Sequence, residues 1–175
     1  RDFQKLGHKI VLIIGDFTGV IGDTSDKDSE RYMLKQEQVK KNMESYILQA
    51  GKIIDINKCE IHYNSEWLGK LGYRELCEQA DAFSLSDFIS RENIKKRLDA
   101  GKRGSFRELM FPLMQGYDSV ALRTDGEIGG NDQTFNMLMG RELERELLGK
   151  DKFVITTKLL VDVARLDGLG IGLDW

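Results

Sequence analysis

Short apolar runs alternate with longer amphipathic stretches along most of this chain. Residues 9–14 are rich in Ile and Val and lie between Gly7 and Gly15, a pattern typical of a buried parallel strand. Similar runs predict further strands at residues 53–54, 60–63, 119–123 and 153–157.

The longer stretches have the periodicity of amphipathic helices. In residues 34–49, Val39, Met43 and Ile47 would share one stripe, and Gly51 follows its end. Helices are also predicted at residues 1–6, 65–68, most of 73–117 with a break near 101–104, and 132–148, with Ser84 and Ser105 as N-caps. Because strands alternate with helices, we predict an α/β fold with a mainly parallel sheet and a helical insertion at about 73–117.

A glycine-rich segment at residues 15–23 follows the first predicted strand directly. Its three glycines, Gly15, Gly19 and Gly22, predict a loop whose backbone turns tightly and can approach a ligand. In open parallel sheets, ligands bind at the carboxyl ends of the strands, where this loop would lie.

Two polar clusters beside glycine are the strongest candidates for a site. Gln115 and Asp118 form one, and Asp132 and Gln133 form the other. Carboxylates accept hydrogen bonds and hold ammonium groups, whereas amides both donate and accept, so the clusters suit a small polar ligand. A purely structural interpretation is also open: Asp118 could cap a helix end or turn, and Asp132 could be a helix N-cap.

The overall composition is that of a folded globular domain rather than a disordered or strongly basic chain. The 175 residues are 41% hydrophobic and 31% charged, with a net charge of −3. A nucleic acid would therefore have to meet a local basic patch. The candidates are clustered at Arg91, Lys95, Lys96, Arg97, Lys102 and Arg103. This cluster could equally be the solvated face of a helix.

Several kinds of chemistry have no matching pattern in the sequence. Cys59 and Cys77 lack the spacing of metal ligands, and His8 and His62 are isolated, so no metal site is predicted. Neither a Ser/His/Asp set nor a phosphate loop is evident, and no apolar run is long enough to cross a membrane. These features favour a cytoplasmic protein that acts by binding and positioning its ligands.

Four motifs in colinear order resemble bacterial-type tyrosyl-tRNA synthetases, which are class I aminoacyl-tRNA synthetases. They are KIVLIIGDFTGVIGD, YNSEW, FPLMQGYDSVAL and IGGNDQTFN, spread over roughly residues 1–160. The resemblance implies a Rossmann-like catalytic core, with residues 1–162 as a partial catalytic domain and 163–175 as an unassigned tail. The related tryptophanyl enzymes share this architecture but are not expected to carry QGYDS.

The resemblance also implies roles in binding tyrosine. Asp118 would accept a hydrogen bond from the phenol hydroxyl. Gln115 would contact the substrate amino group, and Asp23 would lie near the same amine. A carboxylate that must accept the phenol proton is left unpaired when phenylalanine binds, which would disfavour the wrong substrate.

The second cluster would serve the adenylate side of the same site. Asp132 and Gln133 would face the ribose and the amino-acid end, while Gly129 and Gly130 would let the backbone approach the nucleotide. ATP would be a substrate, bound as Mg-ATP in the family, and no permanently bound cofactor is implied.

The partners would be tyrosine, ATP and tRNA(Tyr), and a homodimer would form through the helical insertion. Phe106 is either one of its contact residues or packs within its own helix.

The chain departs from the family pattern at four points. The family's HIGH and KMSKS motifs do not occur in the 175 residues, so no catalytic residue is assigned. Phe111 stands where a tyrosine commonly binds the substrate amine, and Lys158 stands where proline is usual. We therefore expect adenylate formation by this chain alone to be very slow. The alternatives are a non-catalytic tyrosine- or nucleotide-binding remnant, or a relative of the tryptophanyl enzymes.

Overall fold

A computed structural model of the chain describes residues 1–22 and 35–159. The strands are β1 (Ile10–Ile14), β2 (Cys59–Tyr63), β3 (Gly126–Gly130) and β4 (Phe153–Thr157). The helices are α1 (Asp2–Lys5), α2 (Asp16–Ile21), α3 (Gln36–Met43), α4 (Tyr46–Ala50), α5 (Ser65–Leu68), α6 (Tyr73–Asp81), α7 (Leu85–Ile89), α8 (Glu92–Asp99), α9 (Phe106–Leu122) and α10 (Thr134–Leu148). Short 3₁₀ helices at Ile56–Lys58 and Asn131–Gln133 precede β2 and α10.

The strands form two parallel pairs. β1 pairs with β2, with Ile10 opposite Cys59, and β3 pairs with β4, with Gly126 opposite Phe153. Helices connect the two strands of each pair, as parallel pairing requires. The predicted α/β fold with a mainly parallel sheet is confirmed. Over the described residues, no helix is both long and apolar enough to cross a membrane.

Most of the predicted helices are present. α1 ends before Gly7, whose φ of +91° suits glycine. The stretch predicted to be mostly helical contains α6 to α9, and its break lies between α8 and α9. The Ser84 hydroxyl accepts from Ser86 N–H at the start of α7, and Ser105 is the N-cap residue of α9. α10 begins two residues later than predicted and ends before Gly149.

The predictions for residues 15–23 and 34–49 were wrong in detail. The glycine-rich segment contains helix α2 rather than a loop, with Asp16 in its first turn, where a carboxylate favours helix formation. The second stretch is divided into α3 and α4. At the break, the Ser45 hydroxyl accepts from the Gln49 side chain, 2.9 Å away.

Two predicted strands are absent. Ile53 and Ile54 lie in a turn, because both backbone N–H groups donate back to Ala50 at the end of α4. Residues 119–123 continue α9, which ends at Leu122 before Arg123 takes a left-handed conformation. The actual strand is β3, a few residues later. Its sequence GEIGG contains too few β-branched residues to signal a strand.

The core lies where α9 crosses α10. Phe88, Leu113 and Met139 are buried together, and Phe83, Leu109, Met110 and Phe135 pack around them. The helices approach closely because Gly116 faces Gly140. A Cβ at Gly116 would lie 3.0 Å from the Gly140 backbone nitrogen.

Candidate functional site

Asp118 is the buried centre of the candidate site. It lies in the interior of α9 and is only 7% exposed. Trp67 Nε1–H donates to its Oδ1 at 2.7 Å, and Asn64 Nδ2–H donates to its Oδ2 at 3.4 Å. The carboxyl group is therefore held by two side chains from the segment after β2. Because Asp118 lies inside the helix, the alternative of a helix-end or turn cap is excluded.

Asn64 connects the ends of β1 and β2 beneath this carboxyl group. It follows β2 directly, and its backbone N–H donates to Ile14 O at the end of β1. Its side chain accepts from Phe17 N–H (3.0 Å) and donates to Thr18 Oγ1 (2.9 Å), both in α2. The site thus lies at the carboxyl ends of parallel strands, as expected for this type of fold.

Burial raises the pKa of Asp118 from its ordinary value of 3.8 to about 7, because desolvation disfavours the charged carboxylate. The hydrogen bonds from Trp67 and Asn64 act in the opposite direction and lower this pKa, while the negative charge of Glu127 adds to the increase. Near neutral pH, both protonation states of the carboxyl group are therefore populated.

The second predicted cluster is joined to the first through Asn136. Its Nδ2–H₂ group donates to Gln115 Oε1 at 2.9 Å and to Gln133 Oε1 at 3.1 Å. Gln133 Nε2–H in turn donates to Asp132 Oδ2 at 3.0 Å. Gln115, Asp132 and Gln133 thus belong to one hydrogen-bonded chain. Gln133, rather than Asp132, is the N-cap residue of α10, so the N-cap alternative for Asp132 was wrong.

The two predicted glycines lie where β3 meets the 3₁₀ helix. A Cβ at Gly130 would lie 2.3 Å from Asp132 Oδ1, and one at Gly129 would lie 2.9 Å from Met137 Sδ. A larger residue at either position would therefore require the Asp132 or Met137 side chain to move. Asp23, the remaining predicted ligand contact, lies outside the described residues.

Sequence reasoning gave no role to Asn64, Trp67 and Asn136. A signal existed for each of them, since all three belong to the quoted motifs YNSEW and IGGNDQTFN. In addition, Asn64 is a polar residue placed directly after a strand. The hydrogen bonds of Asn64 and Trp67 to Asp118, and of Asn136 to Gln115, join residues 54, 51 and 21 positions apart, so no local pattern could show them.

A buried charge cluster lies beside the site, between α9, α10 and the second strand pair. Lys152 Nζ is fully buried and donates to Ser119 Oγ and to Glu127 Oε2, each at 2.6 Å. Glu144 is also fully buried, but neither of its carboxyl oxygens has a hydrogen-bond partner among residues 1–22 and 35–159. Desolvation raises the pKa of Glu144, and the nearby charge of Lys152 partly opposes this.

Replacement of Glu144 by Gln should stabilise the fold at neutral pH. A carboxyl group whose pKa is raised on folding destabilises the native state increasingly as pH rises above its ordinary pKa of 4.5. We expect a gain on the order of 1–3 kcal/mol at pH 7 in urea unfolding, disappearing below pH 4. Glu146, exposed on the same helix, is the control: Glu146→Gln should change the free energy of unfolding by less than about 0.5 kcal/mol.

No metal site is evident in residues 1–22 and 35–159, where no three His, Cys, Asp or Glu side chains are grouped to hold an ion. A cavity of about 330 Å³ opens beside α3 and α4, with Val39, Met43 and Ile47 in its wall. It contains none of the predicted site residues. Its wall residue Asp16 already accepts from Ser65 N–H and Ser65 Oγ–H. We therefore do not identify this cavity as the ligand-binding site.

The fold and the site define a class I aminoacyl-tRNA synthetase core. Residues 1–167 match the family of tRNA synthetases class I (W and Y), and the chain belongs to that family. It is 44% identical to the tyrosine–tRNA ligase of Ralstonia nicotianae, covering 97% of this chain and 42% of the relative. With the tyrosine–tRNA ligase of Desulfotalea psychrophila it shares 46% identity over 91% of the chain and 40% of the relative.

Solved structures agree on the fold. A C-terminally truncated mitochondrial tyrosyl-tRNA synthetase from Coccidioides posadasii superposes with a TM-score of 0.72 at 22% identity, covering 91% of this chain and 52% of that one. The tyrosyl-tRNA synthetase of Archaeoglobus fulgidus, solved with L-tyrosine, gives 0.69 at 20% identity, covering 98% and 50%. The chain thus spans about two-fifths of its sequence relatives and half of these structures.

Proposed function

We propose that this chain forms the tyrosine-reading part of a tyrosine–tRNA ligase catalytic core. The parent reaction activates tyrosine with ATP to tyrosyl-adenylate and transfers the tyrosyl group to tRNA(Tyr). The observation that carries the proposal is the buried carboxyl group of Asp118, held by Trp67 and Asn64 at the carboxyl ends of β1 and β2. A buried acceptor of this kind favours a phenol over an unsubstituted ring, because phenylalanine has no hydroxyl to donate to the acceptor positions that Trp67 and Asn64 do not occupy.

The remaining assignments concern the side chains of the hydrogen-bond network that Asn136 joins. Gln115 is proposed to contact the amino group of tyrosine together with Asp23. Asp132 and Gln133 are proposed to face the adenylate, with Gly129 and Gly130 beside the nucleotide. ATP is proposed as a substrate, not as a resident cofactor. Phosphate chemistry is assigned to no residue here, since residues 1–175 contain neither HIGH nor KMSKS.

We also propose that the helical region at about 73–117 mediates homodimerisation in a cytoplasmic enzyme. Phe106, in the first turn of α9, is 73% exposed, which supports an interface role over packing within its own helix. Leu85 and Leu98 in the same region are also exposed. Residues 1–162 remain the proposed extent of the partial catalytic domain.

A nucleic-acid surface on the basic cluster is the weaker candidate function. Lys95 and Lys96 pair with Asp99 and Glu92 on their own helix, at 2.7 and 2.6 Å. Arg97 is buried in an ion pair with Glu108. These partners reduce the positive charge available to phosphate groups.

Calorimetric titration of the 175-residue chain tests the main proposal. We expect tyrosine to bind measurably at pH 8 and phenylalanine to bind at least about tenfold more weakly, the equivalent of one charged hydrogen bond. We expect no tyrosine-dependent exchange of pyrophosphate into ATP. Equal affinity for the two amino acids would contradict the role given to Asp118, and measurable exchange would show that phosphate chemistry does occur in this chain.

A further inference from the structure

Among the described residues, Asn136 donates hydrogen bonds to a glutamine in each of the two polar clusters. It is the third residue of α10 and is only 1% exposed. Its side-chain nitrogen donates to Gln115 on α9 and to Gln133 at the start of α10. Its side-chain oxygen is buried and has no hydrogen-bond partner in the part of the chain that the structure describes.

The two hydrogen bonds donated by Asn136 fix the orientation of both glutamine amide groups. Each glutamine carbonyl oxygen faces Asn136, so each Nε2–H₂ group points away from it. For Gln133 that group meets Asp132, 3.0 Å away. We propose that Asn136 is a positioning residue that orients Gln115 for the amino acid and Gln133 with Asp132 for the nucleotide. The inference rests on the proposed function, because it assumes that these side chains bind the two ligands.

The energetics of the bridge favour positioning over stabilisation. A buried carbonyl oxygen without a donor destabilises a fold by about 1–3 kcal/mol, and Asn136 has such an oxygen. An apolar residue of similar volume would avoid that loss. Gln115 and Gln133 are only partly buried, so water could take the place of Asn136 at their carbonyl oxygens. An asparagine chosen for stability alone is therefore not expected here, whereas one that orients two amides is.

Two double-mutant cycles in the 175-residue chain test the inference. Asn136→Leu should weaken binding of tyrosine about tenfold, an effect of the size of one hydrogen bond, and should weaken ATP similarly. In a Gln115→Ala background, Asn136→Leu should change the tyrosine dissociation constant less than twofold. In a Gln133→Ala background, Asn136→Leu should change the ATP dissociation constant less than twofold. If Asn136 had a purely structural role, Gln115→Ala would not suppress its effect on tyrosine binding, and Gln133→Ala would not suppress its effect on ATP binding.

Asn131→Ala is the matched control, because Asn131 lies in the same segment. Among the described residues, its side chain accepts a hydrogen bond from Thr134 and bonds neither glutamine. It should leave both dissociation constants within twofold. The preference of Asn136→Leu for tyrosine over phenylalanine should also be unchanged, since Asp118 is untouched. Undiminished effects of Asn136→Leu in both glutamine backgrounds, or no effect in the unsubstituted chain, would overturn the inference.

The outcomes separate this inference from the proposed function. If the unsubstituted chain binds neither tyrosine nor ATP, both fail; if it binds them but Asn136→Leu behaves as wild type, only the inference fails. Asn136→Ser serves as the second variant in case Asn136→Leu does not fold. If urea unfolding showed that neither variant folds, Asn136 would be a stability residue and the inference would be overturned.

Discussion

Asp118→Asn is expected to remove most of the chain's preference for tyrosine over phenylalanine. The substitution keeps the size of the side chain but replaces a charged acceptor with a neutral amide, so the bond to the phenol hydroxyl loses its charge-assisted character. We expect the affinity for tyrosine to fall about 10- to 100-fold at pH 8, while that for phenylalanine changes little. Isothermal titration calorimetry with each amino acid measures both.

Asp125→Asn is the control for this result. Asp125 lies seven residues along the chain from Asp118, its side chain is highly exposed, and it pairs with Lys150 at the surface. The substitution removes the same charge without touching the site, so both affinities should remain within about twofold. If Asp118→Asn kept full discrimination, the phenol hydroxyl would have to be recognised by another group.

Tyrosine binding should also strengthen with pH through the titration of Asp118. Only the ionised carboxylate accepts freely from the phenol, and the pKa of this group is about 7 in the ligand-free chain. For binding to the ionised form alone, the affinity rises about tenfold between pH 6 and pH 8 and then levels off. Asp118→Asn should make the profile flat. A flat profile in the unsubstituted chain would contradict ionisation of Asp118 as the controlling event.

Neighbours of Asp118 should move the midpoint of this profile in opposite directions. Trp67→Phe removes a hydrogen bond that lowers the pKa of Asp118, so the midpoint should shift to higher pH. Glu127→Gln removes a negative charge that raises it, so the midpoint should shift to lower pH. His62 is the control, because its ring lies 6.1 Å from the Trp67 ring but contacts Glu60 and Glu66 rather than Asp118. His62→Gln should leave the midpoint in place.

Ionisation of Asp118 should strengthen tyrosine binding as pH rises but should lower the free energy of unfolding. The pKa of Asp118 is higher in the folded chain than its ordinary value of 3.8, so the fold loses stability as pH rises from about 4 to 7. The full difference corresponds to about 4 kcal/mol, the most that Asp118→Asn could gain above pH 7. Below pH 4 the variant and the unsubstituted chain should be equally stable. The pH at which the carboxylate accepts best is thus the pH at which it destabilises the fold most.

This opposition is typical of a group retained for recognition rather than for stability. Glu144 shows a similar loss, since it is fully buried without a hydrogen-bond partner. The two differ in their surroundings. Trp67 and Asn64 donate hydrogen bonds to the Asp118 carboxyl, whereas Glu144 has the nearby charges of Lys152 and Lys150 but no hydrogen-bond donor among the described residues. Orientation by specific donors is therefore the structural feature that supports the role we propose for Asp118 in reading the ligand.

Local pattern determined the elements that have strong local signals. The strand at residues 9–14, the long periodic stretch of α10 and the serine N-cap at Ser84 were all predicted to within two residues. Prediction failed where tertiary burial outweighs propensity. Residues 119–123 look like a strand because Val120 is β-branched, yet residues 119–122 continue α9, where Val120 is buried.

The sequence by itself determined the residue types at the site and, through the order of the four motifs, the family. Gln115, Asp118, Asp132 and Gln133 were recognisable because polar residues beside glycine and apolar runs need a reason to be there. Only the tertiary structure decided how they work together. Asn64 and Trp67 lie more than 50 residues from Asp118 along the chain, and Asn136 lies 21 residues from Gln115. Burial raises the pKa of Asp118, the hydrogen bonds of Trp67 and Asn64 lower it, and Asn136 donates to both glutamines. Such effects depend on desolvation and on hydrogen-bond direction, which exist only once the chain has folded.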